Sequence, residues 1–244
     1  MKGFATSDVG KIRKVNEDAY FISLKEDKIQ LYVVADGMGG YEKGEVASLL
    51  AVTSVRDYVL TNYDKYEEPK DNFLKLLKEA TQYANMVVYN KSQESATKEL
   101  MGTTLDTCLF YKNKIYISHI GDSRIYRIRK GIIRRLTKDH SYVQELVDEG
   151  KITKEEAKDH PKKNMIMKAI GIEESIEPDL SIKGFQKDDI VLMCSDGLTN
   201  MVPDDEILKI LNENPTDCTT PLGQKANANG GADNITAGVI RENA

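Results

Sequence analysis

The stretch Val33-Val34-Ala35-Asp36-Gly37-Met38-Gly39-Gly40 (VVADGMGG) closes an apolar run, Leu31 to Ala35, that reads as a strand. A carboxylate at the edge of a core must be paired, hydrogen-bonded or metal-bound, because burying it bare costs several kcal/mol. The glycines that follow let the backbone come close to something. The pattern returns as Leu192-Met193-Cys194-Ser195-Asp196-Gly197. Two more strand-edge aspartates stand beside glycine or small residues: Asp122 in Gly121-Asp122-Ser123-Arg124, after the apolar Ile115 to Ile120, and Asp233 in Gly230-Gly231-Ala232-Asp233-Asn234, before a last strand. Any one of these read alone is equally well a turn. Together they point to a shared centre of positive charge. Magnesium and manganese take oxygen ligands and retain several waters, so a few carboxylates and one backbone carbonyl suffice, and Gly37 can supply the carbonyl.

Outward from that strand, others are expected at Lys2 to Thr6, Asp18 to Leu24 and Gln30 to Ala35. Two helices follow. Gly44 to Tyr63 places Val46, Leu49, Leu50, Val52, Val55, Val59 and Leu60 on one buried face, and Asn72 to Asn90 repeats the spacing with Phe73, Leu76, Leu77, Ala80, Ala84, Val87 and Val88. Thr104 to Tyr111, Ile115 to Ile120, Arg124 to Arg129 and Ile132 to Leu136 then read as a meander of antiparallel hairpins. Residues 141 to 170 are charged, mostly helical in period and broken by His160-Pro161, which suggests a mobile insertion. Strands return at Leu180 to Gly184, Ile190 to Cys194 and Asn234 to Ile240, with helices at Asp204 to Asn212 and about Thr216 to Asn227. Tight turns between strands imply antiparallel sheets, and the segregated helices must cover their outer faces. The expected class is α+β, a four-layer α-β-β-α sandwich, built as one domain over residues 1–244 because no low-complexity linker divides it.

With 40% hydrophobic and 30% charged residues the chain is an ordinary globular protein, and a net charge of -5 leaves no electrostatic footprint for nucleic acid or an anionic membrane. Arg127-Arg129-Lys130 and Arg134-Arg135 read as a solvated hairpin. Cys108, Cys194 and Cys218 are too scattered for a disulfide framework or a zinc site, no signal-peptide core is present, and the apolar runs are too short to span a bilayer. A cytoplasmic protein is expected. Gly39 to Gly44 is followed by Glu45-Val46 where a phosphate-loop ATPase needs Lys-Ser/Thr. Six residues after each cysteine stand Lys114, Asn200 and Gln224, so a thiolate phosphatase, which needs arginine there, is excluded.

Arg13, shortly before Asn16-Glu17-Asp18, offers a planar fork that matches phosphate oxygens two at a time, although a run of this kind is also a common surface ion-pair cluster. The ordered set of Arg13, Asn16-Glu17-Asp18, VVADGMGG with Gly44-Glu45-Val46-Ala47, Gly102-Thr103-Thr104, Gly121-Asp122-Ser123-Arg124, Ser195-Asp196-Gly197-Leu198 and Asp233-Asn234-Ile235-Thr236 resembles the bacterial branch of the PPM family. These are the metal-dependent serine/threonine protein phosphatases of the protein phosphatase 2C type, and the resemblance runs from about Thr6 to Val239.

The resemblance implies hydrolysis of phosphoserine and phosphothreonine in proteins, by a water bridging two manganese or magnesium ions and without a covalent enzyme intermediate. Asp36 would bridge the ions, the Gly37 carbonyl would meet one, and Asp196 and Asp233 would complete the other. Glu17 and Asp18 would hold metal-bound waters, Asp122 with Asp196 would take a weaker third ion, Arg13 would grip the phosphate and Asn234 would support its neighbouring aspartate. Many eukaryotic relatives carry a histidine where this chain has Met38, so a histidine general acid does not transfer, and a metal-bound water is the substitute. His119, His140 and His160 read as structural or solvated. Residues 141–170 match the family's flap and suggest phosphoprotein docking. The expected partners are phosphorylated proteins and a cognate bacterial serine/threonine kinase, met by a monomer. A non-catalytic phosphoprotein-binding module on the same fold is the rival reading; its mark would be loss of a metal carboxylate, and Asp36, Asp196 and Asp233 are all present.

Overall fold

In chain order the elements are β1 (Lys2–Asp8), β2 (Asp18–Ile22), β3 (Gln30–Gly39), α1 (Lys43–Asn62), a 3-10 turn (Tyr63–Lys65), α2 (Asn72–Gln93), β4 (Met101–Thr103), β5 (Leu105–Tyr111), β6 (Lys114–Ile120), β7 (Arg124–Arg129), β8 (Ile132–Arg135), α3 (Tyr142–Asp148), α4 (Lys154–Lys158), β9 (Asp179–Gly184), β10 (Ile190–Cys194), α5 (Asp196–Thr199), α6 (Asp204–Glu213), α7 (Thr219–Ala228) and β11 (Ile235–Arg241). The structure, a computed structural model, describes residues 1–39, 43–66, 72–94, 101–214 and 217–242. Gly40 and Thr216 of the expected elements lie outside the described residues.

Among the described residues, one sheet has the strand order β1-β11-β10-β7-β8 and the other β2-β3-β5-β6-β9, with β4 paired to β3. Every pairing is antiparallel. Period-two alternation sends the side chains of each strand to opposite faces, and three apolar layers result. Leu31, Val33 and Ala35 of β3 pack under Val55 and Val59 of α1 and Leu76, Leu77 and Ala80 of α2. Tyr32 and Val34, from the other face of β3, meet Ile125, Val191 and Met193 between the sheets. Leu192, Cys194, Ala237 and Val239 of the second sheet pack under Leu198, Ile207, Leu211 and Leu222 of α5, α6 and α7. The four-layer α-β-β-α order is the one the segregation of helices and strands implies.

Three details depart from the expectation. The buried residues of α1 are Gly44, Ala47, Ser48, Ala51, Val52, Ser54, Val55 and Val59, whereas Val46, Leu49 and Leu60 are exposed, Leu49 by 56%. Small residues let α1 lie close on β3, so size as well as apolarity decides which face is buried.

The expected mostly helical insertion holds only the two short helices α3 and α4. Gly150, at φ +68°, follows the end of α3, the Thr153–Glu156 capping box starts α4, and Pro161 stands three residues past its end. Its ends are tied by the bridges Ser141↔Ile166 and Thr103↔Ile170.

Finally, β3 does not stop at Ala35. It runs on to Gly39 by changing partner from β5 to β4, with Gly37 opposite Thr103 and Met38 opposite Gly102. Asp36 is therefore a residue within a strand, at the point where that strand changes neighbours.

Candidate metal and phosphate site

The alternation that buries Tyr32 and Val34 between the sheets carries Asp36 to the same inter-sheet face, beyond the last apolar layer. Antiparallel register sets Asp18 of β2 directly opposite it. From the sheet of β10 and β11, Asp196 is the first residue of α5, two positions past the end of β10, and Asp233 precedes β11; Asp122 lies in the turn between β6 and β7. The structure brings the four together around Asp36. Its carboxyl is held well above the usual range, by desolvation first and then by the charges of Asp18, Asp196, Asp122 and Asp233. Desolvation pushes Asp18 up to about 6 and Asp122 up to about 7, with Asp196 adding to both. Asp196 is raised by desolvation and by Asp233, and Glu17 by desolvation. Carboxylates that raise one another in this way are a store of negative potential awaiting a counter-charge.

The backbone of Asp36 is gripped on both sides. Its N–H donates to Thr104 Oγ1 at 2.8 Å, and its carbonyl accepts from Thr103 Oγ1 at 2.9 Å and from the Thr104 N–H at 2.9 Å. Thr104 Oγ1 also meets Ser123 Oγ at 2.7 Å, which ties the Asp122 turn to the strand of Asp36. Gly37 donates its N–H to the Glu17 carbonyl at 3.0 Å, and a Cβ on Gly37 would overlap the carbonyl oxygens of Gly44 and Glu17. This answers why a glycine follows the aspartate: three backbone segments meet there with no room for a side chain.

Arg13 is half-exposed, and its Nη2 donates to Asp233 Oδ2 at 2.9 Å, a bond that holds the guanidinium pKa above its ordinary value. The other Asp233 oxygen accepts from the Asn234 N–H at 2.9 Å. The Asn234 side chain has a different task from supporting Asp233. Its Oδ1 accepts from the Glu17 N–H at 2.8 Å, and its Nδ2 donates to the carbonyls of Val9 at 3.0 Å and Val15 at 2.9 Å. Asn234 thus staples the loop that bears Arg13 to the start of β11.

Nearby, His119 Nδ1 lies 2.5 Å from Asp106 Oδ1, both buried between the sheets, and His119 Nε2 donates to the Lys138 carbonyl at 2.8 Å. The His140 ring stacks on His119 at 4.7 Å, and its Nδ1 accepts from the Gly121 N–H at 3.0 Å. A donor on that nitrogen fixes His140 as a neutral imidazole, in keeping with a pKa lowered by desolvation and by His119. Both rings are committed to the scaffold, and neither offers a nitrogen to a substrate.

Among the described residues no three acidic, histidine or cysteine side chains already close into a cage able to hold an ion. Two observations nevertheless fit the group to divalent cations. Oxygen-only donors are the chemistry magnesium and manganese select, and ions that keep several waters need few direct protein ligands. In addition, Asp18 Oδ1 is buried with no hydrogen-bond partner, a loose end that a cation or its water would satisfy.

The family model described as Protein phosphatase 2C matches residues 12–227. The chain is 39% identical over 241 residues, 97% of its own length and 94% of the relative's, to the serine/threonine phosphatase stp of Listeria innocua. It is similar, at TM-score 0.90 and 35% identity with 99% of each chain covered, to the serine/threonine phosphatase of S. agalactiae. It is similar as well, at TM-score 0.82 and 36% identity with 98% and 96% covered, to the catalytic domain of the serine/threonine protein phosphatase PstP in complex with two manganese ions. On the extent of the matched model and on relatives aligned over nearly their full length, the chain belongs to the protein phosphatase 2C family.

Proposed function

We propose that the chain hydrolyses phosphoserine and phosphothreonine in proteins with the help of two divalent cations, manganese or magnesium. The observation that carries this reading is the convergence of Asp18, Asp122, Asp196 and Asp233 on Asp36, which leaves a strongly negative site with a partnerless oxygen. Asp36, the Gly37 carbonyl, Asp196 and Asp233 would hold the two ions, Glu17 and Asp18 would hold their waters, and Asp122 with Asp196 would take a weaker third. Cations bound there supply Lewis acidity and bring the pKa of water towards neutrality.

The chain's own residues do the rest. Thr103 and Thr104 fix the Asp36 backbone so that its carboxylate needs no rearrangement. Arg13, on a loop stapled by Asn234, leaves Asp233 to clamp phosphate oxygens by two parallel N–H bonds. With His119 and His140 committed elsewhere, no imidazole at the site serves as the acid for the leaving serine or threonine oxygen.

Residues 141–170 form the flap beside this site and contact the phosphoprotein, and the whole chain acts as one domain. The same reading carries a bacterial serine/threonine kinase as the source of substrate, a monomeric enzyme and a cytoplasmic location; no helix among the described residues is long and apolar enough to cross a membrane.

The test is hydrolysis of a phosphothreonine peptide with manganese and with excess chelator. Turnover is expected only with the metal, and equal turnover in chelator would remove cations from the reaction. Arg13→Ala is expected to raise the Michaelis constant for that peptide about tenfold, the loss of one charge-assisted clamp of about 1.4 kcal/mol, with a smaller change in kcat. A Michaelis constant equal to that of the wild type would deprive Arg13 of its role.

A further inference from the structure

Asp18 is the acidic residue whose surroundings say most about how it is meant to sit. Ser195 Oγ lies 2.8 Å from Asp18 Oδ2 and accepts the Thr236 N–H at 2.9 Å. Because the backbone N–H can only donate, the Ser195 hydroxyl proton is free to point at Asp18. The Thr236 hydroxyl interacts with the same carboxyl. Behind it, Ser7 Oγ lies 2.8 Å from Thr236 Oγ1, and Asn16 Nδ2 donates to Ser7 Oγ at 2.8 Å. The circuit closes on its origin, since Asn16 Oδ1 accepts the Asp18 N–H at 3.2 Å.

Three contacts of this circuit have obligatory donors: Asn16 Nδ2 to Ser7 Oγ, the Asp18 N–H to Asn16 Oδ1 and the Thr236 N–H to Ser195 Oγ. The Asn16 amide must present its oxygen to the Asp18 N–H, so its NH2 faces Ser7 and can only donate. Either hydroxyl of the Ser7–Thr236 contact can donate, and the orientation in which Ser7 donates leaves the Thr236 proton for Asp18. Ser195 donates to the carboxylate, in that orientation Thr236 does so too, and hydrogen bonds to the charged form favour that form. Ser195 and Thr236 are wholly buried, so no water substitutes for either donor without a rearrangement. Ser195 takes Oδ2, and Oδ1 is left with no partner.

We propose that Ser195 and Thr236, with Ser7 and Asn16 behind them, are positioning residues that hold the Asp18 carboxylate in one rotamer and reserve its Oδ1 for the cation site. This rests on the cation reading given above. The four residues come from β1, the β1–β2 loop, the end of β10 and β11, so the circuit also joins both sheets at the rim of the site. Outer partners of this kind are typically worth 10- to 100-fold in metal affinity.

The test is calorimetric titration of manganese into the full metal-free chain and its Ser195→Ala, Thr236→Val and Thr236→Ser variants, each with its metal-free melting temperature. Ser195→Ala and Thr236→Val are expected to weaken manganese binding about tenfold or more, while Thr236→Ser, which keeps the hydroxyl, stays near the wild-type affinity. A merely structural hydroxyl would lower the melting temperature and leave manganese affinity alone. Should Ser195→Ala fail to fold, Thr236→Val set against Thr236→Ser decides by the same comparison. Wild-type affinity in folded Ser195→Ala and Thr236→Val overturns this assignment and leaves the cation reading standing. Absence of manganese uptake by the wild type overturns both.

Discussion

Asp36→Asn is expected to lower phosphatase turnover at saturating manganese by about a thousandfold or more, well beyond the 10- to 100-fold typical of an outer partner. The same substitution is expected to make the metal-free protein more stable. Asp36 is the group on which the charges of Asp18, Asp196, Asp122 and Asp233 converge, and asparagine keeps its shape while removing the charge. Its backbone grip by Thr103 and Thr104 does not depend on the carboxyl, so the strand is undisturbed. Loss of function with gain of stability in one variant is the signature of a charge kept for chemistry against the interest of the fold. A metal-free Asp36→Asn protein that melts below the wild type would contradict the repulsion inferred here, and one that turns over at the wild-type rate would move the metal site elsewhere.

The second large effect is the pH dependence of stability without metal. In the unfolded chain Asp18 and Asp122 titrate near 3.8, whereas burial in the fold pushes them up to about 6 and about 7, and Asp36 is also held well above its ordinary value. Over the interval between those values the folded protein binds more protons than the unfolded one, so stability falls as pH rises. Asp18 alone, moved from 3.8 to about 6, accounts for roughly 3 kcal/mol across that interval. His119, raised in the fold, adds the same sign, and His140, lowered, opposes it. The metal-free protein is therefore expected to melt at a higher temperature at pH 5 than at pH 8. Manganese, which on the proposed reading binds the ionised cluster of the folded protein, is expected to reverse that order. Melting curves in chelator and in manganese at the two pH values check it, and a metal-free protein equally stable at both would sink it.

Much of this architecture could be read from residues alone because apolar alternation is a direct consequence of burial. Leu31 to Ala35, Ile115 to Ile120 and Ile190 to Cys194 form the strands their patterns announce. The aspartates were legible for a related reason: a charge at the end of such a run needs a purpose. Other features leave no such trace. Val46, Leu49 and Leu60 of α1 satisfy a helical period yet face solvent, because Ala47 and Ala51 approach β3 more closely and periodicity does not weigh size. Asp-Gly-Met-Gly has the composition of a turn, and only its pairing with β4 makes it a strand. Thr104, Ser195, Thr236 and Ser7 act through single hydroxyls, and serine and threonine are too common for one position to stand out. Sequence adjacency points the Asn234 side chain at Asp233, whereas its partners, Val9, Val15 and Glu17, are neighbours only in space.

The staple formed by Asn234 has a consequence for how the enzyme comes into being. Asn234 and Glu17 are 217 positions apart, and Arg13 and Asp233 are 220 apart. Strand β11, which follows them, is the partner that β1 needs. A ribosome delivers the Arg13 loop well before its anchor, so the two stay apart while the more than two hundred residues between them are made. Such distant closures are slow steps in folding. The nascent domain therefore cannot bring Arg13, Asp233 and Asn234 together until the segment that carries Asn234 and β11 has emerged.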